Sequence, residues 1–225
     1  MKSQDYKIAR PVHHGVRTRR PNAWLDFNLT RDLPYLKAVI FIICLYPALL
    51  MLLDAVLDAL GANPVEKLMT LTGQWSLRFL MLSLALTPIR MLTGFTMINL
   101  FRRMVGLYAF FYCSLHFLVF IVLEHTAMLT LIVEAVAKSQ TVQVGLIAYG
   151  LLIPLAFTST HAIMRRLGKS WKKIHKMIHI IAVLAVFHFL LSVKADFTEP
   201  LIYAVIVLLL QSIRIIYRRR PKIAQ

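Results

Sequence analysis

The stretch Met104–Leu123, MVGLYAFFYCSLHFLVFIVL, decides the fold: twenty residues without a charge, and one histidine, His116, in its second half. At 1.5 Å rise per residue, about 20 apolar residues cross the roughly 30 Å of a bilayer's hydrocarbon. Its apolar residues run around the whole circumference, as in a helix surrounded by lipid and other helices. Five more stretches read the same way: Leu36–Leu57, Trp75–Leu92, Val142–Ile163, Ile174–Val193 and Pro200–Tyr217. None alternates over about ten residues as a membrane-barrel strand does. The expected fold is all-α, a polytopic membrane bundle of six transmembrane helices over residues 35–217. A basic extension (1–34) precedes it and a short basic tail (218–225) follows.

The composition of the 225 residues agrees. Hydrophobic residues make up 59%, and 26 Lys and Arg against 10 Asp and Glu leave a formal net charge of +16. Nucleic-acid binding would account for the charge but not for the apolar excess, so no nucleic-acid partner is expected. The charges are also sorted along the chain. Twenty Lys and Arg fall in the N-terminal segment, the loops after the second and fourth spans, and the tail; the other loops hold only Lys67, Lys138 and Lys194, beside six acids. The positive-inside rule then puts both termini in the cytoplasm and the acidic loops outside, with lipid as the surrounding partner. Residues 1–34 show no signal-peptide core, and Arg19-Arg20 is followed by Pro21-Asn22 rather than an apolar run. Cys44 and Cys113 lie inside apolar runs with no CxxC or CxxCH, which excludes a disulfide framework, a zinc cluster and covalent c-type haem attachment.

Carboxylates are nearly absent from the spans, which weighs against an ion-coupled transporter. Histidines are retained instead: His116, His161, His175, His179 and His188. A neutral imidazole in hydrocarbon must satisfy one donor and one acceptor, so each marks either a bond to a neighbouring helix or a functional site. His116 lies 12 residues in from Met104 and His188 lies 14 in from Ile174. Counted from the same side, those depths are ~18 and ~21 Å, so the two can face one another. Two imidazoles from separate helices can ligate one haem iron, an arrangement suited to electron transfer. His175 stands 13 residues before His188, ~20 Å away along an ideal helix and on a different face of it. A second, inner haem on His175 would need His161, Met104, water or a lipid-side ligand, and that choice stays open. His161, among Thr158, Ser159 and Thr160, and His179, one turn above His175, are weaker candidates.

Six strings carry a resemblance. They are Thr72-Gly-Gln-Trp-Ser-Leu-Arg78; Arg102-Arg-Met-Val-Gly-Leu107 with His116 after it; Ala156-Phe-Thr-Ser-Thr160; Leu167-Gly-Lys-Ser-Trp-Lys-Lys-Ile-His175; His188 with Ser192-Val-Lys194; and Pro200-Leu-Ile-Tyr203. They resemble the MsrQ (YedZ) family of haem-binding membrane subunits, in the ferric-reductase-like transmembrane superfamily. The resemblance covers about residues 35–217 and implies haem b, one or two per chain, ligated by His116, His175 and His188. FMN is implied as well. So is a relay that takes electrons from the quinone pool or a cytoplasmic flavin reductase to MsrP, a periplasmic molybdopterin enzyme that repairs methionine sulfoxide. No GxGxxG or Walker string appears through Gln225, nor an FAD- or NAD(P)H-binding domain. The chain is therefore expected to be an electron-transfer subunit whose catalysis lies on its partner. A b-type cytochrome serving ferric iron or another periplasmic oxidoreductase is the alternative reading.

Overall fold

A computed structural model describes residues 29–219. The residues before and after, including most of the extension and the end of the tail, lie outside the described part. The chain divides into two compact units, residues 1–38 and 39–225. Of the first, only the opening turns of a helix are described; the bundle is formed by the second.

The helices are α1 (Leu29–Val56), α2 (Pro64–Thr93), α3 (Asn99–Leu118), α4 (Leu129–Lys138), α5 (Gln140–Phe157), α6 (His161–Leu167), α7 (Lys169–Ile174), α8 (Ile178–Ser192) and α9 (Thr198–Arg219). No strand occurs among the described residues. Six stretches are long and apolar enough to span a membrane: Leu33–Val56, Pro64–Thr93, Leu100–Glu124, Gln140–Phe157, Lys169–Ser192 and Thr198–Tyr217. The protein is thus an all-α, multi-pass membrane bundle. Within it α2 packs mainly on α3 and α5 on α8, while α9 lies against α2 and α8.

Several boundaries differ from those read off hydropathy, each for a local reason. The second span begins at Pro64 rather than Trp75. Asn63 caps it by accepting from the Glu66 amide at 3.4 Å and donating to the Glu66 carboxylate at 2.7 Å, with Pro64 in the first turn. The fourth ends at Phe157 rather than Ile163. There Thr158 and Ser159 fold back to donate to the Pro154 and Leu155 carbonyls at 2.6 and 2.7 Å, and Thr160 caps the next helix. The third span finishes in a wide π-helical segment, Val119–Glu124. A short turn then leads into α4, a helix with no counterpart among the six expected spans.

Two prolines explain how the bundle is held together. Pro47 lacks the N–H that would pair with the Ile43 carbonyl of α1, and the next position is held from α3. The Tyr112 hydroxyl donates to Cys44 O at 2.8 Å and accepts from Ala48 N at 3.0 Å. Tyr108 donates to Phe41 O at 2.8 Å. Pro88 has no N–H for the Leu84 carbonyl, and Arg214 of α9 donates to that carbonyl at 2.5 Å. Because Tyr112 is wholly buried, Tyr112→Phe should cost about 1–3 kcal/mol, the range for losing a buried hydrogen-bond partner. Thermal unfolding in detergent, followed by far-UV circular dichroism, checks this; an unchanged midpoint would mean that Cys44 O and Ala48 N need no partner on α3.

Candidate functional site

His116 on α3 and His188 on α8 face one another with ring centres 6.1 Å apart and ring planes at 84°. Each is anchored at Nδ1. That of His116 lies 2.9 Å from Met69 O on α2, and that of His188 lies 2.8 Å from Thr141 O on α5. A carbonyl only accepts, so Nδ1 carries the proton in both rings and Nε2 is left with its lone pair. This is the tautomer a metal requires, fixed in the way second-sphere carbonyls fix metal-ligating histidines.

The separation also fits a metal. Two imidazole–metal bonds of ~2 Å each, plus roughly 1 Å from each nitrogen to its ring centre, span about 6 Å. Perpendicular ring planes are compatible with two ligands on opposite sides of one ion. Space is made by glycine. A Cβ at Gly73 would lie 3.2 Å from His116, and one at Gly145 would lie 2.8 Å from His188. Both rings line a cavity of about 680 Å³ bounded by α2, α3, α5 and α8, within the size range of cofactor sites. Among the described residues there is no cluster of three or more His, Cys, Asp or Glu able to hold a bare metal ion. A pair of histidines across a large apolar cavity instead suits a metal that brings its own equatorial ligands, as haem does.

His175 is placed differently. The chain between it and His188 is not one continuous helix, since a 3₁₀ turn at His175–Met177 separates α7 from α8. The ideal-helix count of faces therefore does not apply. Its ring stacks on Trp171 at 4.0 Å, with Nδ1 3.2 Å from Trp171 O and Nε2 3.5 Å from the Ser159 hydroxyl. The Trp171 indole in turn donates to Thr158 O at 3.0 Å. Two of the strings that carried the resemblance, Ala156–Thr160 and Leu167–His175, thus meet at one place. The stacking and hydrogen-bond neighbours of His175 here are Trp171 and Ser159, not another imidazole. His161 is exposed at the start of α6, outside the fourth span altogether. His179 takes a hydrogen bond at Nε2 from Arg214 at 3.1 Å and does not line the cavity. Sequence reasoning passed over His125, which lines the cavity just after the π-helical segment; its only signal was a polar residue next to Glu124 where the third span stops.

Residues 72–186, just over half of the chain, match the family described as "Ferric reductase like transmembrane component". A protein of Xanthomonas euvesicatoria pv. vesicatoria (strain 85-10) is 47% identical over 70% of this chain and 72% of its own length. One from Xanthomonas oryzae pv. oryzae (strain MAFF 311018) is 48% identical over 65% and 67%, and one from Herminiimonas arsenicoxydans is 39% identical over 83% and 87%. All three are named "Protein-methionine-sulfoxide reductase heme-binding subunit MsrQ". The chain belongs to the MsrQ family. No solved structure matches it. The family match takes in His116 and His175, Gly73 and Gly145, the Trp171–His175 stack, all of α3 and α5 and parts of α2 and α8, and stops two residues short of His188.

Proposed function

We propose that this chain binds haem b between His116 and His188 and relays electrons through the bacterial inner membrane, with both termini cytoplasmic. The donor is the quinone pool or a cytoplasmic flavin reductase. The acceptor is the periplasmic molybdopterin enzyme MsrP, which reduces methionine sulfoxide in oxidised proteins. The observation that carries the haem reading is the facing pair of imidazoles, each with Nδ1 held by a backbone carbonyl and Nε2 free. Haem held by these two residues would supply one-electron chemistry.

The chain's own residues do the rest. Met69 O and Thr141 O hold the ring tautomers, and each carbonyl bond makes its imidazole a stronger donor. Gly73 and Gly145 leave room beside the rings. Leu77, Leu80, Phe117 and Phe189 supply apolar wall to the cavity. His175, with Trp171 and Ser159 around it, is the proposed ligand of a second haem; FMN is an expectation of the resemblance, with no set of described residues assigned to it.

The test is a dithionite-reduced-minus-oxidised visible spectrum of the detergent-purified protein, with pyridine-haem quantitation per chain. A sharp b-type α band is expected, and the ratio decides whether His175 holds a second haem. A colourless protein from cells supplied with haem would reject the relay and leave the histidines structural.

A further inference from the structure

The cavity between His116 and His188 has one polar end. Helix alternation brings the turn before α2, the turn after the π-helical segment and the end of α8 to the same side of the bundle. Asn63, Glu66, Gln74, Glu124, His125 and Ser192 line the cavity there. Haem is amphiphilic and carries two carboxylates on one edge, so that edge belongs at the polar end. The lining is unfavourable to it in two ways. It contains two carboxylates, Glu66 and Glu124, and no lysine or arginine among the described residues. The side-chain amides are already engaged, Asn63 with Glu66 at 2.7 Å and Gln74 with Glu199 at 3.0 Å. Apart from the facing pair, His125 is the one lining side chain among the described residues that can carry a positive charge.

The backbone spends conformational energy to put it there. The wide π-helical turn over Val119–Glu124 re-aims the chain at its end. His125 is followed by two non-glycine residues in the left-handed region, Thr126 at φ 48° and Ala127 at φ 56°. Such residues persist only where the surroundings impose them, and they concentrate at functional sites. Here the bonds Ala127 N to Ile121 O at 2.8 Å and Met128 N to His125 O at 2.9 Å close the turn. The His125 ring packs on Phe120 at 4.4 Å, and its Nδ1 lies 2.9 Å from Phe120 O, so Nδ1 donates and the second nitrogen is what the ring offers the cavity.

We propose that His125 holds a haem carboxylate at the polar end of the cavity, as an imidazolium that donates through Nε2 while Nδ1 stays on the Phe120 carbonyl. The inference rests on haem lying between His116 and His188. Only the doubly protonated ring donates at both nitrogens, so the positive charge is part of the contact. The charged side chains facing His125 are Glu66 of α2, Glu124 beside it, and Glu134 and Lys138 of α4. Glu134 and Lys138 are paired with each other at 2.5 Å.

Electron uptake adds negative charge near this imidazolium, which therefore favours the reduced state. The experiment is a potentiometric titration of the haem-loaded protein followed by its visible spectrum. The parent and its His125→Gln and His125→Arg variants are compared. His125→Gln should lower the midpoint by about tenfold in the reduction equilibrium, which is 59 mV for one electron. His125→Arg, a permanent cation, should keep it as high as the parent's. If His125→Gln keeps the parent's midpoint, the inference falls while the haem reading stands; if the parent has no haem band, the haem reading itself falls. A His125→Gln protein that loses its haem while His125→Arg retains it also supports the contact; loss in both overturns the requirement for charge.

Discussion

Replacing either His116 or His188 by alanine is expected to remove the haem proposed to lie between them. Removing a residue that merely orients a metal ligand lowers metal affinity ~10–100-fold, and removing the ligand itself should cost at least as much. Haem per chain at this site should therefore fall at least tenfold in each single variant, read by pyridine haemochrome and by the reduced α band. The two variants should look alike, because the proposed site needs both imidazoles, whichever one is missing. Retained far-UV helicity separates loss of a ligand from loss of the fold. The geometry supplies a further control. Met69 O and Thr141 O are backbone atoms that stay in place when the side chain goes, so a His188→Gly protein keeps an acceptor for added imidazole, and partial return of the band with imidazole is expected. A normal reduced spectrum in both alanine variants would reject the pairing. If a second haem sits on His175, its share of the absorbance should persist in both and vanish in His175→Ala.

Hydropathy alone was enough for six spans, because the transfer of about 20 apolar residues into a bilayer dominates every local term. It failed where local hydrogen bonding decides. The start of α2 ahead of Trp75 is set by Asn63, Pro64 and Glu66, a capping signal present in the sequence but polar, and so invisible to a search for apolar runs. The end of α5 at Phe157 is set by Thr158 and Ser159, whose hydroxyls take the last carbonyls of the helix. The facing of His116 and His188 was legible because residue counts convert into depth, and the 3₁₀ turn inside the count from Ile174 changes the rise over its three residues by only about 1.5 Å. The surroundings of His175 were not, because a 3₁₀ turn begins at that residue and breaks the periodicity on which the count of faces depends. His125 was missed for a related reason. Its position follows from a π-helical turn and two left-handed residues, which nothing in the apolar run Val119–Leu123 announces.

Gly145→Ala should weaken haem binding while leaving the helix intact or better formed. Glycine in a helix interior costs about 1 kcal/mol relative to alanine, so on propensity alone the substitution stabilises α5. Against that, the new Cβ would lie 2.8 Å from Cε1 and 2.9 Å from Nδ1 of His188, closer than van der Waals contact allows. The ring cannot retreat without stretching its 2.8 Å bond to Thr141 O, and that bond sets the direction of Nε2. The added methyl thus acts on ligand geometry, and haem per chain should fall several-fold, within the ~10–100-fold span for disturbed second-sphere contacts at the level of affinity. Gly73→Ala places its Cβ 3.2 Å from His116, a tighter contact than usual but one that a small shift relieves, so its effect should be smaller. Gly150→Ala is the control on the same helix. Its Cβ meets nothing within 4 Å, so it should bind haem as the parent does and unfold at the same temperature or a higher one. The expected order of haem loss is Gly145 first, then Gly73, with Gly150 unaffected. Equal haem content in the Gly145→Ala and Gly150→Ala proteins would show that the space beside His188 is not what admits the cofactor.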